Sequence, residues 1–528
     1  MAKTLSKRYS GVLAHPTSFP SPYGIGDFGK GAYDFINFLT GAGQSLWQIL
    51  PLGHTGYGDS PYQSVSTFAG NPYFINLEDL IEKGLLTREE CESCDWGGSE
   101  SYVDYEKMYM SRYKLLRKAY ERADLSKDED YADFLKEEQN WLTDYCLFMA
   151  IKNDQKGICW IDWPEELKDR HSKAVKEAEK ELEEEIDFYR FQQYCFTTQW
   201  RKLKAYANEK GISIIGDVPI YVALDSSDAW ANPEMLQFDK DHNPKSVAGC
   251  PPDAFSATGQ LWGNPLYDWK KLKATGYDWW VQRMQHCLEL YDVVRIDHFR
   301  GFDEYYAIPY GETTAQKGKW EKGPGMDLFN TLNKKIENLR VIAEDLGFLT
   351  KSVLEMLKES GYPGMKVLQF AFDGSENSSY LPYKHNCVVY TGTHDNETTK
   401  GWLENLQDHD RDFVREYINC YEAPVNDCVW ALIRTALASV ADLAIIPIQD
   451  YLCLGNEARM NEPATLGDNW KWRLTKGQIS DMTLYHMREV TRIYGRLYRE
   501  PAVEVEEETE ADEKEELNNS AKDDKIKK

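Results

Sequence analysis

The chain has 528 residues, enough for one large core or for two to three ordinary ones, and 42% of them are hydrophobic. Its 87 acidic residues against 61 basic ones give a net charge of −26 at pH 7. Because nucleic acids and anionic membranes attract surfaces rich in Lys and Arg, this balance argues against both as the main partner. The odd number of cysteines, 11, favours a reducing compartment. No leader peptide is recognisable and no run approaches the about 18 apolar residues of a membrane span, so we expect a cytoplasmic protein.

Eight short runs of apolar, often β-branched residues recur along the chain. They cover residues 11–15, 46–52, 212–218, 292–297, 341–346, 366–372, 387–395 and 443–449. Their hydrophobicity is nearly continuous rather than alternating, which is typical of strands buried on both faces of a parallel sheet. Amphipathic helical patterns such as 31–42, 328–338 and 351–360 separate most of them. The eight units predict an α/β fold, a (β/α)8 TIM barrel, and a doubly wound open sheet is the alternative.

Two segments interrupt this pattern, and we expect both to be additions to a single catalytic barrel domain of residues 1–500. Residues 77–211 are mostly helical in pattern and predict a large helical insertion, with one long charged helix at 176–185. Residues 222–268 are rich in Pro, Gly, Asn and Asp, and they predict long rim loops over the active site. Residues 501–528 are rich in Glu, Lys and Asp and predict an acidic, disordered tail.

Three acidic residues, Asp297, Glu344 and Asp395, each close a strand-like run. A carboxyl group there is poorly placed for stability, whereas parallel barrels collect their catalytic groups at that end of their strands. Arg295 lies two residues before Asp297, so it points to the same face and would keep that carboxylate ionised; a structural ion pair is the alternative. Three carboxyl groups indicate acid, base or nucleophile chemistry, and cleavage of a glycosidic bond is the leading candidate.

For the carboxyl groups at positions 344 and 395, a purely structural role is also considered. Glu344 is followed by Asp345, so one of the two must point into the barrel, where an apolar, like-charged setting raises the pKa of a carboxyl group and lets it donate a proton. We expect Glu344 to be that group and Asp345 to cap the following helix. His394 and Asp395 together would hold two adjacent sugar hydroxyls, and the alternative is that Asp395 caps a helix at 397–402.

Longer motifs around these residues resemble the four signature regions of the α-amylase superfamily. They are Gly216-Asp-Val-Pro-Ile-Tyr-Val222, Val294-Arg-Ile-Asp-His-Phe-Arg-Gly301, Ala343-Glu-Asp-Leu-Gly347 and Thr393-His-Asp-Asn396. With the flanking blocks 52–62 and 251–267, they resemble specifically the 4-α-glucanotransferase branch (amylomaltase or disproportionating enzyme), glycoside hydrolase family 77. The resemblance runs from about residue 9 to about residue 498 and excludes the tail.

The resemblance implies a role for each matching residue. Asp297 would be the nucleophile, Glu344 the general acid/base and Asp395 the stabiliser of the transition state. The residues that would bind the sugar chain are Tyr57, Tyr62, Asp217, Trp262, Arg295 and His394. Tyr62 resembles the family's stacking tyrosine at the cleavage site, and Tyr57 resembles a residue of a second glucan-binding patch.

The implied reaction transfers a segment of a 1,4-α-D-glucan to the 4-hydroxyl of an acceptor glucan or glucose by a retaining double displacement. The expected partners are maltooligosaccharides and other α-1,4-glucans, as in starch, glycogen or maltodextrin metabolism. An α-glucan hydrolase of the same superfamily and a non-catalytic glucan-binding protein are the alternatives.

We expect no cofactor and no metal, since the histidines show no ligand spacing. Gly24-Ile-Gly26-Asp-Phe-Gly29 matches the GxGxxG pattern of a dinucleotide site and would suggest an NAD-dependent oxidoreductase. Residues 18–23 separate these glycines from the preceding strand, however, which a dinucleotide-binding turn does not allow.

Overall fold

A computed structural model describes residues 8–56, 58–252, 256–372, 378, 380–382 and 384–497. Its centre consists of eight parallel strands. In chain order they are β1 (Tyr9–Leu13), β2 (Leu46–Gln48), β3 (Ser213–Val218), β4 (Val293–Ile296), β5 (Val341–Ala343), β6 (Gly364–Val367), β7 (Cys387–Tyr390) and β8 (Leu443–Pro447). Each strand overlaps one of the eight predicted runs, so the sequence pattern identified every strand of the central sheet.

The strands lie side by side in the order β6, β7, β8, β1, β2, β3, β4, β5. The two outer strands of this order meet through a hydrogen bond of 2.9 Å from the Ala343 N–H to the Pro363 carbonyl. The sheet therefore curves into a nearly closed barrel, which confirms the (β/α)8 prediction and rules out the open-sheet alternative. All residues of β2, β4, β5, β7 and β8 are buried, as expected for strands with side chains packed inside and helices outside.

Helices lie in most of the connections between barrel strands. Outside residues 77–211 they are Lys30–Gly41, Ser227–Ala231, Trp269–Ala274, Asp278–Leu290, Met326–Lys335, Lys351–Ser360, Thr399–Asn405, Asp408–Tyr417, Val425–Ala438, Ile448–Tyr451 and Asp481–Ile493. Lys351–Ser360 has the predicted bounds because the Thr350 side chain caps its first turn and Gly361 ends it with φ +71°. The expectation that Asp345 caps this helix is wrong. Its Oδ1 instead accepts a hydrogen bond of 2.6 Å from the Met365 N–H in β6.

Between β2 and β3 the chain is mainly helical. The helices are Leu77–Glu82, Arg88–Glu92, Tyr105–Arg122, Glu129–Glu137, Gln139–Asp154, Glu165–Lys168, Lys173–Glu181 and Glu183–Glu209. The predicted single charged helix at 176–185 is wrong, because the chain breaks at Leu182 into two helices. The second of these continues to Glu209 and buries its apolar side chains, whereas the charged segment around the break lies at the surface.

A four-stranded antiparallel sheet, the rim sheet, lies in the connections that follow β3 and β4. Its strands in spatial order are Gln260–Pro265, Ser246–Cys250, Glu304–Pro309 and Lys319–Lys322. Two of these strands fall within residues 222–268, where the composition predicted only irregular loops. They pair with each other, and Ser246–Cys250 also pairs with Glu304–Pro309, which lies far away in sequence and which no local pattern could indicate.

The glycines of the GxGxxG motif pack against protein atoms. A Cβ at Gly26 would lie 2.0 Å from the Pro16 carbonyl oxygen, and one at Gly29 would lie 2.0 Å from the Asn76 amide nitrogen. Close packing of the chain on itself therefore explains these glycines without a bound nucleotide. In the part of the chain that the structure describes, no helix has both the length and the apolar character needed to span a bilayer.

The buried guanidinium of Arg496 joins the end of the described chain to the barrel. It donates hydrogen bonds of 2.7–3.2 Å to the carbonyls of Tyr9 and of four residues around the start of β8, which are Leu437, Ser439, Ala441 and Asp442. Arg496→Ala leaves these carbonyl groups without their hydrogen-bond donor and creates a buried cavity. We therefore expect the free energy of unfolding to fall by at least about 3 kcal/mol. Urea unfolding followed by circular dichroism measures this.

Arg492→Ala is the matched control, since that side chain is 57% exposed and binds Glu489 on its own helix. We expect it to change the free energy of unfolding by less than about 1 kcal/mol. Equal effects of the two substitutions would contradict the role of Arg496.

Candidate active site

The carboxyl ends of β3, β4 and β5 bring three acidic residues together. Residues 217 and 295 are paired across β3 and β4, so Asp217 and Arg295 lie side by side. Beyond the strand ends, the Asp297 N–H donates to the Val218 carbonyl and the Glu344 N–H to the Ile296 carbonyl, both at 3.0 Å. Continued backbone pairing therefore fixes Asp297 and Glu344 on neighbouring strand ends.

Arg295 connects two of these carboxylates. Its Nη1 lies 2.7 and 2.6 Å from the two carboxylate oxygens of Asp217, and 3.0 Å from Asp297 Oδ1. Asp217 is fully buried, whereas the Asp297 side chain is 30% exposed. The guanidinium thus holds Asp297 in a fixed orientation and leaves part of its carboxylate open to a ligand. The structural ion pair considered from the sequence is present, and it also orients the candidate nucleophile.

Glu344 is held by the backbone on both oxygens. Its Oε2 accepts from the His298 N–H and its Oε1 from the Leu346 N–H, both at 2.7 Å. Burial and the nearby Asp297 raise the pKa of Glu344 to about 7, although Arg295 and the two backbone hydrogen bonds oppose this rise. A carboxyl group with this pKa carries a proton for part of the time at neutral pH and can both donate and accept one.

Asp395 enters the cleft from the loop after β7. Asn461 Nδ2 donates to its Oδ1 at 2.7 Å, and His394 Nε2 lies 3.3 Å from the same oxygen. Its side chain is 48% exposed. The cap of the following helix is Thr398, so the alternative that Asp395 caps it is wrong. Asn461 was missed from the sequence, because it belongs to a loop after β8 with no apolar periodicity or motif.

Three rings form one wall of the cleft and come from three different connections. Tyr62 and His394 are stacked, with ring centroids 5.1 Å apart and planes 18° apart, and Trp470 lies 5.9 and 6.0 Å from them. The Tyr62 hydroxyl donates to Asp217 Oδ2 at 2.8 Å. Burial, with Asp217 next to it, raises the pKa of Tyr62 well above its usual range, so the phenol stays neutral. Trp470 was also missed, because nothing in its local sequence distinguishes it from a packing residue.

Trp262 lies on the rim-sheet strand Gln260–Pro265. Its ring meets the His298 ring edge-on, with centroids 4.9 Å apart, and the His298 N–H in turn binds Glu344. Trp262 is therefore placed beside the candidate acid/base.

The structure thus brings together most of the predicted site residues around one cleft. They are Asp217, Arg295, Asp297, Glu344, Tyr62, His394, Asp395 and Trp262. Tyr57 lies outside the described residues.

Comparison with known proteins identifies the family. A family model described as 4-alpha-glucanotransferase matches residues 14–480. The 4-alpha-glucanotransferase of Clostridium butyricum is 49% identical over 486 residues, which cover 91% of this chain and 99% of that protein. The chloroplastic/amyloplastic 4-alpha-glucanotransferase of Solanum tuberosum is 43% identical over 505 residues, which cover 93% and 87%.

Solved structures agree with the sequence comparisons. The amylomaltase from Streptococcus agalactiae, determined in complex with acarbose, superposes with a TM-score of 0.90 at 40% sequence identity, covering 93% of this chain and all of that one. The amylomaltase from Corynebacterium glutamicum, at 19% identity and a TM-score of 0.73, shares the fold. The chain belongs to the 4-alpha-glucanotransferase family, glycoside hydrolase family 77.

Proposed function

We propose that this chain transfers a segment of a 1,4-α-D-glucan to the 4-hydroxyl of a second glucan or of glucose, by a retaining double displacement. The observation that carries the proposal is the pair Asp297 and Glu344 on adjacent strand ends. Arg295 orients Asp297, while burial beside Asp297 raises the pKa of Glu344. One oriented nucleophilic carboxyl group and one protonatable carboxyl group in the same cleft are what a retaining glycosidase-type reaction requires.

In the first step the protonated Glu344 gives its proton to the glycosidic oxygen, and the bond between this oxygen and the anomeric carbon breaks. Asp297 attacks that carbon from the opposite face, so a covalent glycosyl–enzyme ester forms and the shortened glucan leaves as an alcohol. Because Arg295 already holds Asp217 and Asp297 in position, the attacking oxygen needs little reorganisation.

In the second step Glu344 acts as a base. It removes the proton from the 4-hydroxyl of the acceptor, which attacks the anomeric carbon and releases Asp297. Two inversions restore the α configuration. Water yields hydrolysis in the same step, so transfer depends on an acceptor that is held in the cleft. We assign Trp262, whose ring contacts that of His298, to stacking on this acceptor.

The remaining residues are assigned to sugar binding. Asp395, with His394 on the same side of the cleft, accepts hydrogen bonds from adjacent hydroxyls of the sugar at the cleavage point. Tyr62 supports the ring of that sugar, and Asp217 fixes Tyr62 through its hydroxyl. Tyr57 is proposed for a second glucan contact. The proposed setting is cytoplasmic metabolism of starch, glycogen or maltodextrins, with neither nucleic acid nor membrane as a partner.

Incubation with maltotriose tests the reaction class. A transferase makes a ladder of longer maltooligosaccharides together with glucose, whereas a hydrolase makes only shorter sugars. We expect Asp297→Ala to reduce ladder formation by at least about 10⁴-fold, because the covalent intermediate cannot form. Asp408→Ala, at a 96% exposed position, is the matched control and should form the ladder at the wild-type rate. Disproportionation by Asp297→Ala would overturn the assignment.

The raised pKa of Glu344 sets the pH dependence of donor cleavage. Glu344 must carry a proton to act as the acid, and its pKa of about 7 means that this form disappears as the pH rises through that value. We therefore expect kcat/KM for maltotriose to fall about tenfold per pH unit above neutrality. With maltotriosyl fluoride as the donor, the rate of the first step should not fall as the pH rises, because fluoride leaves without needing a proton. A maltotriose profile that stays flat to about pH 9 would contradict the role of Glu344.

Asn461 tests whether Asp395 must be held in place. Asn461→Ala removes the donor to Asp395 Oδ1, so we expect kcat to fall about 10- to 100-fold with an unchanged Tm. Asn461→Asp, which sets a second negative charge against Asp395, should lower kcat further. Asn386→Ala, an exposed asparagine before β7, should have no effect. Equal kcat values for all three variants would show that Asp395 needs no support.

A further inference from the structure

A cluster of three side chains, here called the junction cluster, lies on the outside of the barrel. It consists of Glu138, His286 and Glu289. Glu138 immediately precedes the helix Gln139–Asp154, whereas His286 and Glu289 lie three residues apart on one face of Asp278–Leu290. One possible ligand atom from each of the three side chains lies within 4.8 Å of the others. None of these residues takes part in the chemistry of the cleft.

The imidazole of His286 has an orientation that requires explanation. Its Nε2 lies 3.0 Å from the Phe68 carbonyl oxygen, and since a carbonyl only accepts hydrogen bonds, Nε2 carries the hydrogen. In the neutral ring Nδ1 then presents a lone pair to Glu138 Oε2 and Glu289 Oε2, each 3.8 Å away. The imidazole Nδ1 and the two carboxylate oxygens thus face one another, and each can donate an electron pair to a metal ion. Metal-binding histidines have this arrangement, with the second ring nitrogen donating to a backbone carbonyl.

Neighbouring charges only partly balance the junction cluster. The Arg201 guanidinium contacts it and is shared between Glu138 Oε1 at 3.2 Å and Glu137 at 3.0 Å. The Glu138 side chain is 7% exposed, and its Oε2 also accepts from Trp141 Nε1 at 2.7 Å. One guanidinium thus faces three carboxyl groups, those of Glu137, Glu138 and Glu289, so the formal charge at this position is negative.

We propose that Glu138, His286 and Glu289 bind a late first-row divalent cation such as Zn²⁺. One imidazole and two carboxylates are suitable ligands for this class of ion, whereas Mg²⁺ and Ca²⁺ prefer oxygen ligands alone. Tetrahedral Zn²⁺ with bonds of about 2.0–2.1 Å needs ligand atoms about 3.4 Å apart. The two distances from His286 Nδ1 to the carboxylate oxygens, 3.8 Å each, are close to this spacing, and all three ligand atoms lie within 4.8 Å of one another and would move closer on binding.

Water completes the coordination. A polar cavity of about 170 Å³ adjoins the junction cluster and is lined by Ser66, Asn140 and Gln282 among others. This volume holds several water molecules. The ion links the helix Gln139–Asp154 to the barrel helix Asp278–Leu290, and so stabilises the packing of the helical segment 77–211 on the barrel whenever it is bound.

Titration of the chelator-treated full-length protein with Zn²⁺ and with Co²⁺ tests this proposal. We expect one equivalent to bind, the Co²⁺ form to show visible absorption from a nitrogen and oxygen ligand set, and Zn²⁺ to raise the Tm. His286→Gln and Glu289→Gln should each weaken binding at least about 100-fold, since loss of a ligand costs more than the about 10- to 100-fold loss caused by removal of its hydrogen-bond partner. Mg²⁺ should not compete.

His409→Gln is the matched control, because His409 is 90% exposed and lies 3.2 Å from Asp410, and no third ligand joins them among the residues that the structure describes. This variant should bind Zn²⁺ as tightly as the wild type, and Zn²⁺ should raise its Tm by the same amount. The Glu289 side chain is 60% exposed, so Glu289→Gln keeps the test valid if the variant at His286 does not fold. The proposal is overturned if the wild type shows no saturable binding, or if Glu289→Gln binds Zn²⁺ as tightly as the wild type.

Discussion

The buried guanidinium of Arg295 is the interaction on which the rest of the cleft depends. It faces a fully buried Asp217 and the partly exposed Asp297, and it also lies close enough to Glu344 to oppose the rise of its pKa. Without this cation, the two aspartates and Glu344 would repel one another in a setting of low polarity. One buried positive charge therefore orients the Asp297 carboxyl group while Glu344 remains protonatable, and this difference separates the proposed nucleophile from the proposed acid.

The backbone of the barrel makes the arrangement precise. Hydrogen bonds beyond the ends of β3, β4 and β5 fix where Asp297 and Glu344 leave the sheet, and the N–H groups of His298 and Leu346 then orient the Glu344 carboxyl group. His298, whose N–H donates to Glu344, adopts a left-handed conformation with φ +51°. A conformation that costs free energy in a side-chain-bearing residue is maintained here by the tightly packed strands around it.

The sequence predicted all eight barrel strands, because strands buried on both faces carry continuous apolar runs. It also marked Asp297, Glu344 and Asp395, since a charged residue at the end of such a run is conspicuous. The rim sheet, by contrast, is joined by a pairing between distant segments, Ser246–Cys250 with Glu304–Pro309, and the contact of Asn461 with Asp395 is also distant in sequence. The helix break at Leu182 falls within a charged stretch of high helix propensity. Neither Gly nor Pro marks this position, so the sequence did not predict the break.

The stacked rings of Tyr62, His394 and Trp470 have a consequence for motion in the cleft. The three residues follow β2, β7 and β8 respectively, so three otherwise independent connections share one small packed cluster. A local opening of any one connection removes packing from the other two. Hydrogen exchange at their backbone amides should therefore rise and fall together, and this wall of the cleft orders and opens as one cooperative unit rather than as three separate loops.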